Sequence, residues 1–200
     1  MTRIKICGLT REQDVEAAMS LGAHMLGFIR VPGSPRYVPE SKLGELLACA
    51  GSQIQTVLVV QDEAPEDLVR LRGRYKFDLF QFHGNEPASY APRFGGYPVV
   101  HVQPGQPIAV PHDGLFLMDT AVRGQRGGTG KTFDWSLLEG LEGDYLVAGG
   151  LRPDNIGELL DRYRPWGVDI SSGIEASPGI KDLHLMSCFI ENAKKEGTHE

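Results

Sequence analysis

Residues 4–29 read IKICGLTREQDVEAAMSLGAHMLGFI, a stretch that contains one complete β/α unit. Its first and last few residues are short apolar runs with the length and composition of buried strands. Between them, Thr10 and Gln13 have the spacing of a capping box, apolar residues recur at helical spacing, and Gly22 can end the helix. The order strand, helix, strand predicts a parallel sheet with crossover helices.

The same alternation continues along the chain. Apolar runs bounded by turn signals occur at 4–7, 25–29, 56–60, 79–82, 99–102, 115–118, 145–148 and 167–170. Eight parallel strands favour a closed barrel, so the predicted fold class is α/β, a single (β/α)8 TIM barrel. Such barrels typically need about 250 residues and can be as short as about 200. A chain of 200 residues would therefore be a minimal version.

The unit after strand five departs from this pattern. Pro104, Gly105, Pro107 and Pro111 crowd the stretch before strand six. Because proline removes a backbone donor and ends helices, the helix after strand five is predicted to be missing or reduced. We expect one catalytic barrel domain over 1–194, followed by a disordered tail over 195–200.

Composition excludes several classes of partner. The net charge of −6 and the absence of basic clusters argue against nucleic acid binding. No apolar run reaches the roughly 20 residues that cross a bilayer, and no secretion signal opens the chain, so we expect no membrane partner and a cytoplasmic location. Cys7, Cys49 and Cys188 are too scattered to indicate a disulfide framework or a zinc site. Monomer and homodimer both remain open.

Barrel enzymes carry their chemistry at the C-terminal ends of the strands, where the unusual residues of this chain fall. Two turns rich in glycine and serine follow strands seven and eight, and comprise Gly149, Gly150, Ser171, Ser172 and Gly173. Exposed amides at these turns would suit a phosphate, although tight turns alone would also explain the glycines. The run at 177–180 leaves room for the short helix that often accompanies such a site.

The segment GGTGKT at 127–132 invites a nucleotide-binding interpretation. A P-loop requires glycine five positions before the second glycine of the motif, and position 125 is Gln; Gly124 is one residue out of register. We therefore predict a flexible loop after strand six that closes over a substrate, with a simple solvated loop as the alternative.

Seven short motifs follow one another along the chain in a characteristic order and spacing. They are KICGLT (5–10), SPRYV (34–38), QFHG (81–84), DT (119–120), GGTGKTFDW (127–135), AGGL (148–151) and VDISSGIE (168–175). Together they resemble the phosphoribosylanthranilate isomerase family of tryptophan biosynthesis, over nearly the whole chain. Two positions depart from what is frequent there: Phe82 replaces Leu, and His101 replaces Lys.

The resemblance implies a small phosphoribosyl substrate and an Amadori rearrangement that needs neither metal nor organic cofactor. It implies Cys7 as general base, Asp119 as general acid and Arg36 as the ligand of the anthranilate carboxylate, with His83 a further substrate-binding candidate. Each role has a plainer alternative. Cys7 would be a packed thiol and Asp119 a helix or turn cap. Arg36 would form a surface ion pair, and His83 would only pack against its neighbours. For these roles the pKa of Asp119 would have to be raised and the pKa of Cys7 lowered. Nearby cationic groups or amides would lower the pKa of Cys7.

Two other functions stay open. A histidine-pathway or bifunctional aminoaldose isomerase would resemble this chain, but such enzymes use Asp as the first-strand base and show two matching phosphate motifs. A barrel that only binds a ribose phosphate is the other. The Cys at the first-strand position and the lack of a second phosphate motif to pair with the one after strand eight weigh against the first, and an intact Cys7 and Asp119 weigh against the second.

Overall fold

The computed structural model describes residues 1–103, 108–111, 113–120 and 134–196. Eight strands form the barrel: β1 (Arg3–Cys7), β2 (Met25–Ile29), β3 (Gln55–Val60), β4 (Leu79–Phe82), β5 (Gly96–Val102), β6 (Phe116–Thr120), β7 (Tyr145–Val147) and β8 (Gly167–Ile170). Each pairs in parallel with the next, and β8 pairs with β1, so the barrel is closed. The predicted fold is confirmed.

Helices cover the outside of the barrel. They are α1 (Glu12–Leu21), α2 (Glu40–Ala50), α3 (Pro65–Arg74), α4 (Tyr90–Phe94), α5 (Ile156–Arg162) and α6 (Leu183–Glu196). Between β5 and β6, the described residues 108–111 and 113–115 form no helix, while 104–107 and 112 lie outside the described residues. No described helix combines the length and apolarity needed to cross a membrane.

The structure covers only the first two residues of the predicted disordered tail, 195–200. Residues 195 and 196 are the last two of α6, and residues 197–200 lie outside the described residues. The boundary at 194 therefore stays a prediction.

Side chains alternate across each strand and so build two separate cores. Ile4 and Ile6 are fully buried in the core that strands share with helices. A second cluster fills the barrel interior and contains Met25, Val57, Tyr97, Leu117, Leu146 and Ala148. Because alternate residues share a face, Asp119 lies on the interior side with Leu117, and Lys5 shares its face with Cys7.

Two local expectations are wrong. The helix α1 is capped by Arg11 with no side-chain hydrogen bond, because the Thr10 hydroxyl donates instead to the distant Gly179 carbonyl. The run at 177–180 contributes to an antiparallel hairpin, β9 (Glu175–Ser177) and β10 (Ile180–Lys181), with Gly179 at a positive φ of 80°. The short helical turn instead precedes it, at Ser172–Ile174.

Candidate active site

The predicted site residues lie at one end of the barrel. Cys7 ends β1, His83 follows β4, and Asp119 is the next-to-last residue of β6. The two glycine-containing turns follow β7 and β8, and Arg36 lies in the loop after β2. The closed parallel topology thus gathers side chains that are far apart in sequence at the C-terminal rim.

Asp119 has the electrostatic character of an acid. Its side chain is only 17% exposed. Burial, aided by the charge of Asp169, raises the pKa of Asp119 to about 7, although a backbone hydrogen bond from Thr120 and the charge of Lys5 oppose the shift. A substantial fraction of this carboxyl is therefore protonated at neutral pH, as the acid role requires.

His83 faces Asp119 as a neutral group. Its Nε2 lies 3.6 Å from Asp119 Oδ2, and burial, with the charges of His101 and Lys5, lowers the pKa of His83 to about 4. Tyr97 donates to Gln81 Oε1 at 3.1 Å, and Gln81 Nε2 lies 3.2 Å from His83 Nδ1. This series of hydrogen bonds makes Nδ1 of His83 an acceptor. The ring proton is therefore on Nε2, which faces Asp119.

Cys7 is buried, and here one expectation is wrong. Burial and the charge of Asp169 raise the pKa of the Cys7 thiol, although Lys5, which also hydrogen-bonds to it, and Lys181 oppose the shift. The predicted lowering by cations is present as a contribution, but desolvation outweighs it in the unliganded protein.

A buried ion pair beneath Cys7 was not predicted. Lys5 Nζ donates to Asp169 Oδ1 at 2.9 Å, and the two residues are register partners on β1 and β8. Although burial disfavours the ammonium, Asp169 and Cys7 raise the pKa of Lys5 above its usual value. A Cβ added to Gly27 would lie 2.7 Å from Cys7 Sγ and 3.0 Å from Lys5 Nζ, so the glycine leaves room for both.

A sequence signal for this pair existed. Lys5 and Asp169 are charged residues inside otherwise apolar strands, and Lys5 is two positions before Cys7. Strand alternation puts both side chains of β1 on the same face. A charge at such a position must be paired when buried.

Arg36 is held in a buried network instead of a surface ion pair. Its Nε and Nη2 donate to the two carboxylate oxygens of Glu175, at 2.8 and 2.7 Å. Lys181 Nζ also donates to Glu175, at 2.9 Å, and to the Ser171 carbonyl, at 3.0 Å. Although burial opposes ionisation, these cations hold the pKa of Glu175 below its usual value. Nη1 of Arg36 makes no hydrogen bond to any residue that the structure describes.

The two glycine-containing turns pack against each other. Gly149 and Gly150 have φ of +86° and +66°, and a Cβ on Gly149 would lie 2.8 Å from Asp119 Oδ1. A Cβ on Gly173 would collide with the carbonyl of Leu151, so the turns after β7 and β8 touch. Ser171 Oγ is buried close to Gly8, where an added Cβ would lie 2.8 Å from it, and has no hydrogen-bond partner in the described part of the chain. An anion would satisfy it.

The predicted closing loop after strand six spans 121–133 and lies outside the described residues. Its role stays a prediction. The other predicted site residues are all described, and the barrel brings them to one rim.

Comparison with known proteins identifies the family. A model described as N-(5'phosphoribosyl)anthranilate (PRA) isomerase matches residues 4–192. The N-(5'-phosphoribosyl)anthranilate isomerase of Dechloromonas aromatica (strain RCB) is 41% identical over 97% of each chain. The phosphoribosyl anthranilate isomerase structure of Thermotoga maritima has a TM-score of 0.84 at 31% identity and covers 98% of this chain and 100% of that one.

A second solved structure carries a ligand. It is a phosphoribosyl anthranilate isomerase in complex with reduced 1-(o-carboxyphenylamino)-1-deoxyribulose 5-phosphate, with a TM-score of 0.83 at 28% identity, covering 98% of this chain and 100% of that one. The rim residues, the closed barrel and the full-length match agree, and this chain belongs to the N-(5'-phosphoribosyl)anthranilate isomerase family.

Proposed function

We propose that this chain isomerises N-(5'-phosphoribosyl)anthranilate to 1-(2-carboxyphenylamino)-1-deoxyribulose 5-phosphate in tryptophan biosynthesis, and that Asp119 and Cys7 transfer the protons. The observation that carries the proposal is the pKa of Asp119, which burial raises to about 7 at the barrel rim. At pH 7 about half of such a carboxyl is protonated, against about 0.1% at an ordinary pKa.

The first step needs an acid. Asp119 protonates the ribose ring oxygen, the bond from that oxygen to C1′ breaks, and the anthranilate nitrogen becomes a cationic Schiff base. The neutral Nε2–H of His83, 3.6 Å from Asp119, can then stabilise the carboxylate that forms. The protonated acid is the reactive state, so the enclosed position of Asp119 favours catalysis directly.

The second step needs a base. The Cys7 thiolate removes the C2′ proton, the electrons move to the Schiff-base nitrogen, and the resulting enolamine tautomerises to the ketone. Lys5 supplies a buried positive charge beside the thiol. The cationic Schiff base adds a second charge at the moment when the base is required, which compensates for the raised pKa of the free thiol.

Binding groups fix the two ends of the substrate. We assign Arg36 to the anthranilate carboxylate, since Glu175 holds its guanidinium in place through Nε and Nη2. Nη1 and the second N–H of Nη2 together stay available for a bidentate contact. The phosphate would be bound by Gly149, Gly150, Ser171, Ser172 and Gly173. The unpartnered Ser171 hydroxyl and the positive φ of both glycines support this assignment.

We infer that the partner is this small phosphoribosyl molecule, and not nucleic acid or a membrane. The net charge of −6 supports the first exclusion. We also infer a cytoplasmic site of action and a monomeric or homodimeric state. A related Thermotoga maritima enzyme is described as dimeric, and light scattering on this chain would distinguish the two states.

The test generates the substrate in situ and follows the loss of its fluorescence. Cys7→Ser and Asp119→Asn should each lower kcat/KM by about 10²–10⁴-fold, the usual contribution of general acid–base catalysis. Cys49→Ser, at a helical thiol, and Asp161→Asn, at an exposed position of α5, are the matched controls and should retain wild-type rates. Unchanged turnover in Cys7→Ser or Asp119→Asn would refute that role.

Two arms of the same assay address the alternatives. Wild-type protein that binds the substrate without turnover would support a binding barrel. Turnover of the histidine-pathway aminoaldose would support a bifunctional isomerase, which the Cys base at strand one argues against.

A further inference from the structure

Three side chains of a kind that binds transition metals meet at the rim. His83 follows β4, His101 is the next-to-last residue of β5, and Asp119 occupies the same position on β6. His101 and Asp119 are register partners on neighbouring strands, which lie about 4.8 Å apart. One ligand atom from each of the three residues lies within 4.8 Å of the others.

The spacing of these atoms approaches that of a zinc site. Metal–ligand bonds of about 2.0–2.1 Å in tetrahedral geometry place neighbouring ligand atoms about 3.4 Å apart. His83 Nε2 and Asp119 Oδ2 are already 3.6 Å apart. His101 is exposed and its ring lies edge-on to His83, with 5.1 Å between ring centroids, so its ring has room to move towards the other two ligands.

The nitrogens that would not bind metal already have partners. His101 Nε2 lies 3.2 Å from the His83 carbonyl, and a hydrogen bond there leaves the Nδ1 lone pair of His101 available. His83 Nδ1 lies 3.2 Å from the Gln81 amide. When this amide is turned over, its oxygen accepts a hydrogen bond from Nδ1–H, the Tyr97 hydroxyl accepts one from its NH2 group, and the lone pair of His83 Nε2 is free to bind a metal. Histidine ligands in metal sites almost always donate their second N–H in this way.

We propose that His83, His101 and Asp119 form an inhibitory binding site for a divalent ion of the zinc class. Three protein ligands leave a fourth position to water. The ion would hold Asp119 as a carboxylate, so that this residue could not protonate the ring oxygen, and would therefore compete with substrate. Metal binding stands independently of the proposed function, whereas the inhibition rests on it.

The binding test is a calorimetric titration of untagged protein with Zn²⁺. His184 and Cys188 form a two-ligand pair on α6, with Sγ 3.7 Å from Nε2, so all proteins carry His184→Gln to remove that background. This protein should bind one Zn²⁺ with a Kd on the order of micromolar. Adding His101→Gln should weaken binding by at least about tenfold. Equal affinity in the two proteins, or no binding at all, would overturn the site.

The inhibition test uses the same proteins. Zn²⁺ should raise KM for the phosphoribosyl substrate without changing kcat, and a chelator should restore the rate. His101→Gln should keep its basal rate and require at least about tenfold more Zn²⁺ for inhibition. Zn²⁺ that binds at His101 without inhibiting would refute the inhibitory role alone. A wild type without isomerase activity would refute the proposed function and leave the titration to decide the metal site.

Discussion

Cys7 at the end of β1 and Asp119 near the end of β6 are both enclosed by protein, and burial raises the pKa of both side chains. For Asp119 this shift favours the protonated form that an acid needs, whereas for Cys7 it disfavours the thiolate that a base needs. Lys5 opposes the shift at Cys7 and hydrogen-bonds to the thiol. In the roles that we propose, burial alone prepares Asp119 as an acid, whereas Cys7 as a base also needs a buried cation and the charge of the substrate.

Removal of that cation should give the largest effect. Lys5→Met leaves the Asp169 carboxylate buried without its partner, and loss of one member of a buried pair costs about 3–5 kcal/mol of unfolding free energy. The pKa of the Cys7 thiol should rise further, because its nearest opposing cation is gone. Urea unfolding reports the first effect, and the pH dependence of alkylation by iodoacetamide reports the second, with Cys49 and Cys188 replaced by Ser.

The double variant Lys5→Met, Asp169→Leu separates charge from folding. Because both members of the pair become apolar, unfolding free energy should return towards the wild-type value. The isomerase should nevertheless remain impaired, since the ammonium that hydrogen-bonds to the thiol is gone and only Lys181 still opposes the shift. Full recovery of kcat/KM in the double variant would show that Cys7 does not need Lys5 to act as a base.

Asp119→Asn should give the next largest effect, and one of opposite sign. The folded protein binds a proton at Asp119 up to about pH 7, while the unfolded chain releases it near pH 4, so the contribution of Asp119 to stability falls as pH rises through this window. The lowered pKa of His83 contributes in the opposite direction, so the measurement compares the wild type with the variant at each pH. Three units at about 1.4 kcal/mol each set a limit of about 4 kcal/mol. Asparagine removes this cost, so the variant should exceed the wild type in urea-unfolding stability at pH 8.

The control for this comparison is Asp161→Asn on the exposed face of α5. It should leave the pH dependence of stability unchanged. A difference in unfolding free energy between the wild type and Asp119→Asn that stays constant from pH 4 to pH 7 would contradict the raised pKa of Asp119.

A smaller effect should come from Tyr97→Phe, which removes the hydrogen bond to Gln81 and so loosens the orientation of His83. One neutral hydrogen bond contributes about 1 kcal/mol, so kcat/KM should fall less than about tenfold. The alkylation profile of Cys7 should match the wild type, because burial keeps the Tyr97 hydroxyl neutral and its loss leaves Lys5 and Asp169 in place. A shifted Cys7 profile would show that the two sides are coupled through the barrel interior.

The fold was predictable because its signals are local. Eight apolar runs with turn residues between them specify the strands, and prolines mark the stretch without a described helix after β5. The capping box failed because Thr10 hydrogen-bonds to Gly179, 169 positions away. A contact of that separation depends on the closed barrel, and local spacing carries no information about it.

The position of a candidate residue at the rim was predictable where a motif identifies it, as for Cys7 and Asp119, whose roles stay proposals. The supporting charges were missed because their partners lie on distant strands and loops: Lys5 with Asp169, and Arg36 with Glu175. The direction of the Cys7 shift was also missed, since it depends on the balance between desolvation and several charges, which only the packed structure fixes.

The most direct measurement is the titration of the Asp119 carboxyl itself by ¹³C NMR of aspartate-labelled protein, with Asp119→Asn to assign the signal. Our account predicts that one aspartate resonance, absent from the variant, titrates with a midpoint of about 7. A midpoint near 4, the ordinary value for an aspartate, would contradict the claim that the barrel holds Asp119 as an acid.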